Sequence, residues 1–246
     1  RIGNTTYSQT QRPDNYRTTA TGVNARLPRL RRTYPSQPFV PDDEAEFDSR
    51  AVEILDIQTT GLARRLRSIG ASKLVIGLSG GLDSTLAFLV CLDTLARLDL
   101  PRDALQALTM PGPGTTEHTL ATVRMLTEQT RTPLREVSIN AAVTQHLNDL
   151  GHDGDPDVTF ENTQARERTQ LLFDTANQIG GIVVGTGDMS ELAIGWCTFN
   201  ADHMANYNVN ASVPKTLMAY LVRWYANHRA DDDLAPVLLR VLDTPI

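Results

Sequence analysis

Lys73-Leu74-Val75-Ile76-Gly77-Leu78-Ser79-Gly80-Gly81-Leu82-Asp83-Ser84-Thr85 is the stretch of this 246-residue chain on which its fold turns. The apolar run from Leu74 to Leu78 reads as a buried strand. It breaks at Ser79-Gly80-Gly81, and apolar residues at helical spacing follow at once: Leu86, Leu89, Val90 and Leu95. A strand, a glycine turn and a helix start aim several backbone N–H groups and the positive end of a helix dipole at one point, which suits a phosphate. The glycines let the backbone approach an anion with no Cβ between them, and Ser79 and Ser84 can add hydroxyl donors. Asp83 carries the most information. A carboxylate beside a polyphosphate is repulsive unless a divalent cation lies between them, so Asp83 predicts a bridging Mg2+. No lysine follows the glycines, so this is not a Walker A loop. The plainer alternative is a βα turn with a Ser or Asp N-cap.

Outward from this turn, strand and helix patterns alternate. Residues 1–48, rich in Thr, Arg, Asn and Pro, show no period and read as an extended basic linker arm; residues 49–246 read as the folded domain. Val52, Leu55, Leu62, Leu66 and Ile69 predict a helix ending near Gly70. After the first strand and its helix (about 84–98), Ala104 to Met110 reads as a second strand that runs into the loop Pro111 to Gly114. A helix opened by Thr115 or Thr116 runs to about Thr130. A third strand follows at Leu134 to Ile139, then a helix through His146 to Leu150 and an acidic loop at 151–159. A long helix from about Glu161 to Gln178 is stopped by Gly180-Gly181. A fourth strand spans Ile182 to Val184, and a short helix spans Ser190 to Gly195. The stretch 197–213 reads as irregular, Pro214 sits in the first turn of a helix through Arg229, and a tail begins at Ala235.

This alternation predicts an α/β fold, a doubly wound parallel sheet with helices on both faces. Ligands of such sheets bind beyond the carboxyl ends of the strands, at the switch point in strand order. Three loops leave strand carboxyl ends: 79–84, 111–116 and 185–191. They are expected to converge on one site.

A 41% hydrophobic content is enough for a full core. The two cysteines, Cys91 and Cys197, make no disulfide framework and no zinc spacing. No apolar run approaches membrane-spanning length, so the expectation is a soluble cytoplasmic protein with no membrane partner. Residues 1–40 carry seven arginines and one acid, while the rest of the chain is acidic, for a net charge of −6. The arm holds no lysine, no basic helical period and no base-stacking module, which argues against nucleic acid.

In the loop Gly185-Thr186-Gly187-Asp188-Met189-Ser190-Glu191 the logic of the first turn recurs. Thr186 supplies a hydroxyl, Asp188 reads as an N-cap, and Glu191 is either a second Mg2+ carboxylate facing Asp83 or an acid favoured by the helix dipole. Lys215 is one of only two lysines. At a helix start it opposes the dipole, so it either meets an anion such as polyphosphate or stands in solvent. Asn162 and Arg166 share a helix face and can hold an anionic or amide-bearing substrate. Glu167 and Arg168 point elsewhere and read as surface charges. Trp196, before Cys197 and Thr198, either stacks a flat ring or belongs to the core. Of the histidines, only His203, beside Asp202, is placed near a site.

Ser79-Gly80-Gly81-Leu82-Asp83-Ser84 resembles the pyrophosphate loop of the N-type ATP pyrophosphatases, enzymes of adenine nucleotide alpha hydrolase-like fold. Four ordered blocks together resemble the synthetase domain of glutamine-dependent NAD+ synthetases: Ile76 to Ser84, Glu161 to Arg166, Gly185 to Thr198 and Tyr207 to Thr216. That resemblance implies ATP-dependent amidation of nicotinic acid adenine dinucleotide (deamido-NAD) to NAD+ through an adenylated intermediate, with release of AMP and pyrophosphate. It further implies ATP phosphates held by Gly77, Leu78, Ser79, Gly80, Gly81, Leu82, Asp83 and Ser84, with Thr186 and Lys215 also on ATP. Mg2+ would sit on Asp83 and Glu191, with Asp83 and Lys215 catalytic. Asn162, Arg166, Glu191, Trp196, Cys197, Thr198, Phe199 and Asp202 would face the deamido-dinucleotide. Phe199 stands where ammonia-using members carry lysine, and Pro113 where such loops often have Phe. The implied partners are ammonia, from glutamine through a glutaminase domain or free, and a second copy in a homodimer or larger homo-oligomer. On this resemblance the chain is a fragment, preceded by a glutaminase domain and followed by a further tail. The competing expectations are another ligase of the same loop (GMP- or asparagine-forming, or a tRNA thiolase) and a non-catalytic nucleotide-binding module.

Overall fold

Short apolar runs at the centre of a parallel sheet are covered on both faces and so lack the polar alternation of a solvated sheet. In the computed structural model, which describes residues 43–113 and 115–243 together with 19, 32–35 and 37–41, five strands form one sheet. They are β1 (Leu74–Gly77), β2 (Leu105–Thr109), β3 (Leu134–Glu136), β4 (Ile182–Gly185) and β5 (Tyr207–Asn208), in the order β3-β2-β1-β4-β5. Every pairing is parallel, and Ile76 sits between Ala107 and Val184 in register. These elements belong to one compact unit, Gln37–Ile246; the other, Arg1–Ser36, lies almost wholly outside the described residues.

Successive strand residues feed opposite layers, as a two-residue period requires. Leu74 and Ile76 join the larger core with α1 (Glu44–Ile69), α2 (Leu82–Arg97) and α3 (Glu117–Gln129). Val75, Leu108 and Val183 join a smaller core with α4 (Asn140–Leu150) and α5 (Val158–Ile179). The short α6 (Met189–Ile194) follows β4, while α7 (Lys215–His228) and α8 (Leu234–Leu242) complete the larger layer. The chain steps from β1 to β2 in one direction and places β4 on the other flank of β1. The switch point therefore lies between β1 and β4, and the doubly wound parallel sheet is as expected.

The differences from expectation lie in short or polar elements. β5 falls within the stretch read as irregular, and α8 occupies the tail from Ala235, to which the sequence reading assigns no element. The run 134–139 contributes only three strand residues. α5 begins at Val158, inside the expected acidic loop, because Asp157 accepts from the Thr159 and Phe160 amides and caps it. Pro214 is the N-cap of α7 and not part of its first turn. The expected arm ends at α1, whose first turns take in residues 44–48; most of the rest of the arm lies outside the described residues. Among the described residues, no helix is long and apolar enough to cross a membrane.

Candidate functional site

Beyond β1 the chain turns through Leu78 to Gly81 and enters α2. Gly80 takes φ +82°, and a Cβ there would lie 2.6 Å from the Thr119 carbonyl oxygen, so only glycine fits. Ser79 Oγ accepts from the Gly81 amide at 3.2 Å, and Ser84 Oγ accepts from the Ser79 amide at 3.3 Å. The α2 N-cap, Gly81, offers no side-chain cap. The plain Ser- or Asp-capped turn is thereby excluded, and the first-turn amides of α2 have no side-chain acceptor of the kind that closes other helix starts in this chain. Asp83 stands in that first turn, where a carboxylate is favoured by the helix dipole.

The turn after β4 is tied down by a capping box. Asp188 Oδ1 accepts from the Glu191 amide at 2.7 Å, and Glu191 Oε2 accepts from the Asp188 amide at 3.1 Å. Asn210, fully buried, clamps the two turns together: its Nδ2 donates to the carbonyls of Asp83 (3.0 Å) and Thr186 (3.2 Å). Its Oδ1 accepts from Gln58 of α1 at 3.1 Å. Neither Asn210 nor Gln58 is singled out by the sequence reading. The only signal was the block Tyr207 to Thr216, to which no clamp role was attached.

Lys215 opens α7 and points its ammonium into this junction. Nζ lies 2.6 Å from Asp83 Oδ1, 3.1 Å from Asp188 Oδ2 and 3.5 Å from Glu191 Oε1. Burial alone would lower the Lys215 pKa. The hydrogen bond and charge of Asp83, followed by those of Asp188, outweigh burial and leave the pKa raised. The sequence argument that this lysine needs an anionic neighbour is met by three carboxylates. Glu191 has its pKa raised, chiefly by burial and then by the charges of Asp188 and Asp83, against the Asp188 amide and Lys215. Asp83, Asp188 and Glu191 each offer an oxygen within 4.8 Å of the others. An all-carboxylate donor set of this span fits a hard divalent cation such as Mg2+. Asp188, expected only as a cap, is thus the third acid of the group, and it is fully buried.

An open cleft of about 520 Å³ lies over this junction, a volume in the range of small-molecule sites. Its wall includes Gly77, Leu78, Ser79, Asp83 and Ser84 from the first turn, Pro111, Thr115 and Thr116 from the second, and Thr186 and Glu191 from the third. The three loops converge as expected. Gly80, Gly81 and Leu82 shape the turn without lining the cleft.

The remaining sequence-chosen residues gather at its rim. Asp202 lines the cleft and accepts from the Thr198 amide at 2.7 Å. Thr198 Oγ1 donates to Asn162 Oδ1 at 2.9 Å, and Arg166 Nε donates to the Phe199 carbonyl at 3.4 Å. His203, at 3.2 Å from the Thr198 carbonyl, joins the same turn. Trp196 is 72% exposed and Phe199 80%, which removes the core reading of Trp196; Cys197 is exposed too. Arg168 corrects the sequence reading. It is half-buried, lines the cleft and donates from Nε to the Met110 carbonyl at 3.2 Å.

The NAD synthase family model matches residues 54–233. The chain belongs to the NAD synthase family. It is 43% identical over 216 residues to the glutamine-dependent NAD(+) synthetase of Mycobacterium leprae (strain TN), covering 85% of this chain and 32% of that protein. Among solved structures it resembles the glutamine-dependent NAD+ synthetase from Acinetobacter baumannii in complex with adenosine diphosphate, with a TM-score of 0.71 and 28% identity over 78% of this chain and 36% of that one. The NH3-dependent NAD synthetase from Campylobacter jejuni shares the fold at a TM-score of 0.65 and 22% identity, over 76% of each chain. The chain thus spans about a third of the length of the curated relatives it matches. The family match takes in all five strands and both acid-bearing turns, so the cleft at the β1/β4 switch point belongs to the NAD synthase region itself.

Proposed function

We propose that this chain performs the ATP-dependent amidation of nicotinic acid adenine dinucleotide to NAD+, with AMP and pyrophosphate as the other products. The carrying observation is the junction itself. An uncapped glycine turn, three carboxylates and one lysine ammonium meet at the switch point of a NAD synthase fold. The first-turn amides of α2 and the hydroxyls of Ser79 and Ser84 cradle the ATP phosphates. Asp83 and Glu191 would hold Mg2+, with Asp188 as the third acid of the group, fixing the carboxylate of Glu191 through its capping box. Bound there, Mg2+ supplies charge neutralisation for the departing pyrophosphate. Lys215 carries its proton throughout and places a fixed positive charge beside the same leaving group.

At the rim, Asn162, Arg166, Thr198 and Asp202 form one connected polar patch, flanked by the exposed rings of Trp196 and Phe199. Polar groups beside exposed aromatic faces suit the pyridine ring and phosphates of the deamido-dinucleotide. Its nicotinate carboxylate attacks the α-phosphorus of ATP, and pyrophosphate leaves. Ammonia then adds to the acyl-adenylate carbonyl and AMP leaves with the electron pair of the broken C–O bond. The nitrogen is drawn from glutamine through a glutaminase domain of the full-length protein or from free ammonium, and the protein works as a homo-oligomer in the cytoplasm.

The test is product formation by the full-length protein with ATP, Mg2+ and ammonium. Nicotinic acid adenine dinucleotide should support equal release of AMP and pyrophosphate, and xanthosine monophosphate should not. Asp83→Ala should abolish both products. Pyrophosphate release undiminished in that variant would sink the proposed site.

A further inference from the structure

The charges on the cleft wall do not balance. Among the described residues lining it, Asp83, Glu191 and Asp202 are acidic and Arg168 is the only base. Lys215 is not part of that wall, and its ammonium is already engaged by three carboxylates. Arg168 reaches the cleft from the middle of α5, two positions beyond Arg166 and therefore about 200° around the helix from it. Its Nε is used by the Met110 carbonyl at the end of β2. Its two terminal nitrogens have no partner among the described residues, and no carboxylate forms an ion pair with it. Burial pushes the guanidinium pKa down with nothing opposing it. A second, smaller hollow of about 270 Å³, walled by Pro113, Thr115, Glu161 and Gln164, shares Arg168 with the main cleft.

A guanidinium partly withdrawn from water without a counter-ion is unfavourable in the empty protein. The terminal nitrogens of arginine form a planar fork matched to two oxygens of a phosphate or carboxylate. The clamp on Met110 through Nε fixes that fork in direction. The charge is therefore held in place before any ligand arrives.

We infer that Arg168 is a nucleotide-binding residue of this cleft, whose terminal nitrogens hold a phosphate of the bound nucleotide. The inference rests on the reading of the cleft as a nucleotide site. It adds a contact that the sequence reading placed on the surface. The phosphate belongs either to ATP or to the deamido-dinucleotide, and separate titrations tell them apart.

The experiment uses the full-length protein with three variants. Arg168→Lys keeps the charge, Arg168→Gln keeps a donor for the Met110 carbonyl without charge, and Arg168→Met keeps neither. Equilibrium affinity for ATP and for nicotinic acid adenine dinucleotide is measured separately, at low and high salt, with thermal midpoints recorded alongside. Loss of a charge-assisted hydrogen bond predicts about a ten- to hundredfold weaker affinity for one of the two ligands in the Gln and Met variants. The salt dependence of that affinity should flatten, Lys should recover part of it, and KM for the same ligand should rise more than kcat falls. Gln or Met variants that bind both ligands as the wild type does, or a Lys variant no better than Gln, would overturn the inference. So would a loss confined to the thermal midpoint, which would leave Arg168 as a brace for Met110. A wild-type protein that binds neither ligand would overturn the nucleotide reading of the cleft itself, and this contact with it.

Discussion

Replacing Lys215 by Met should make the carboxylate group a much better cation site in the absence of nucleotide. In the present structure Nζ stands among the carboxylates of Asp83, Asp188 and Glu191, the three acids that together could hold a divalent ion. Metal and ammonium therefore compete for the same carboxylates. The contact with Asp83 is short but partly exposed on both sides, so the lower end of the range for a charged hydrogen bond applies, about 1.5 kcal/mol. The contact with the fully buried Asp188 contributes a similar amount, and the longer one to Glu191 little. Displacing the ammonium then costs about 3 kcal/mol, a factor of about 10² in cation affinity. Mn2+ binding, followed by electron paramagnetic resonance on nucleotide-free protein, should be tightened by that factor in Lys215→Met. With ATP present the advantage should shrink, because the wild-type lysine then has phosphates to pair with. Stability should move the other way. Without Lys215 the Asp188 carboxylate is buried without a counter-charge, which lowers the thermal midpoint, and saturating Mn2+ should restore it. Unchanged or weaker Mn2+ affinity in the variant would refute the competition and place the cation elsewhere.

Gly80→Ala should lose phosphate binding and be destabilised by more than the ~1 kcal/mol that marks the lower end of the cost of a left-handed residue other than glycine. The new Cβ meets a backbone carbonyl at 2.6 Å while φ is +82°, so neither rotation nor side-chain yielding relieves it; chemical denaturation and ATP titration read the two effects. Glu136 is held below its ordinary pKa of 4.5 first by its hydrogen bond to Arg124, whose Nε and terminal nitrogen meet its two oxygens at 2.6 and 2.8 Å. A depressed acid contributes stability above its unfolded pKa, and that contribution is lost as pH falls through the lower folded value. The stability difference between wild type and Glu136→Gln should therefore be present at pH 7 and vanish at pH well below 4.5, as urea melts across that range would record.

The parts of this protein that were legible in the sequence are those whose burial leaves a period or whose chemistry needs a rare residue type. β1 and β4 are central strands buried on both faces, so they read as unbroken apolar runs, and β2 reads as a strand although Gln106 interrupts its apolar residues. Asp83 could be chosen because a carboxylate beside a bound polyphosphate needs a cation between them, Glu191 because its loop repeats the logic of the first turn, and Lys215 because a lysine at a helix start opposes the dipole. The structure brings all three within one ammonium's reach. β5 was not legible because two residues carry no period, and its place is set by backbone pairing of Tyr207 with Val184. α8 did carry a pattern, with Leu234, Val237, Leu238 and Val241 all buried. Pro236 is compatible with it, because a proline in a first turn removes an amide that would have no helical partner.

Arg168 shows most clearly where sequence periodicity stops. The helical period correctly separated it from Arg166, whose Nε meets the Phe199 carbonyl at the rim. It could not say which of two polar faces looks into solvent. That is decided by the loop after β2, which folds over α5 so that the Met110 carbonyl reaches Arg168 across 58 positions of sequence. The same holds for Asn210, which bridges Asp83 and Thr186 from 127 and 24 positions away. Local pattern identifies which groups can bear charge. Long-range hydrogen bonds to the backbone decide which of them face the cleft, and among the described residues they leave three acids and a single guanidinium lining it.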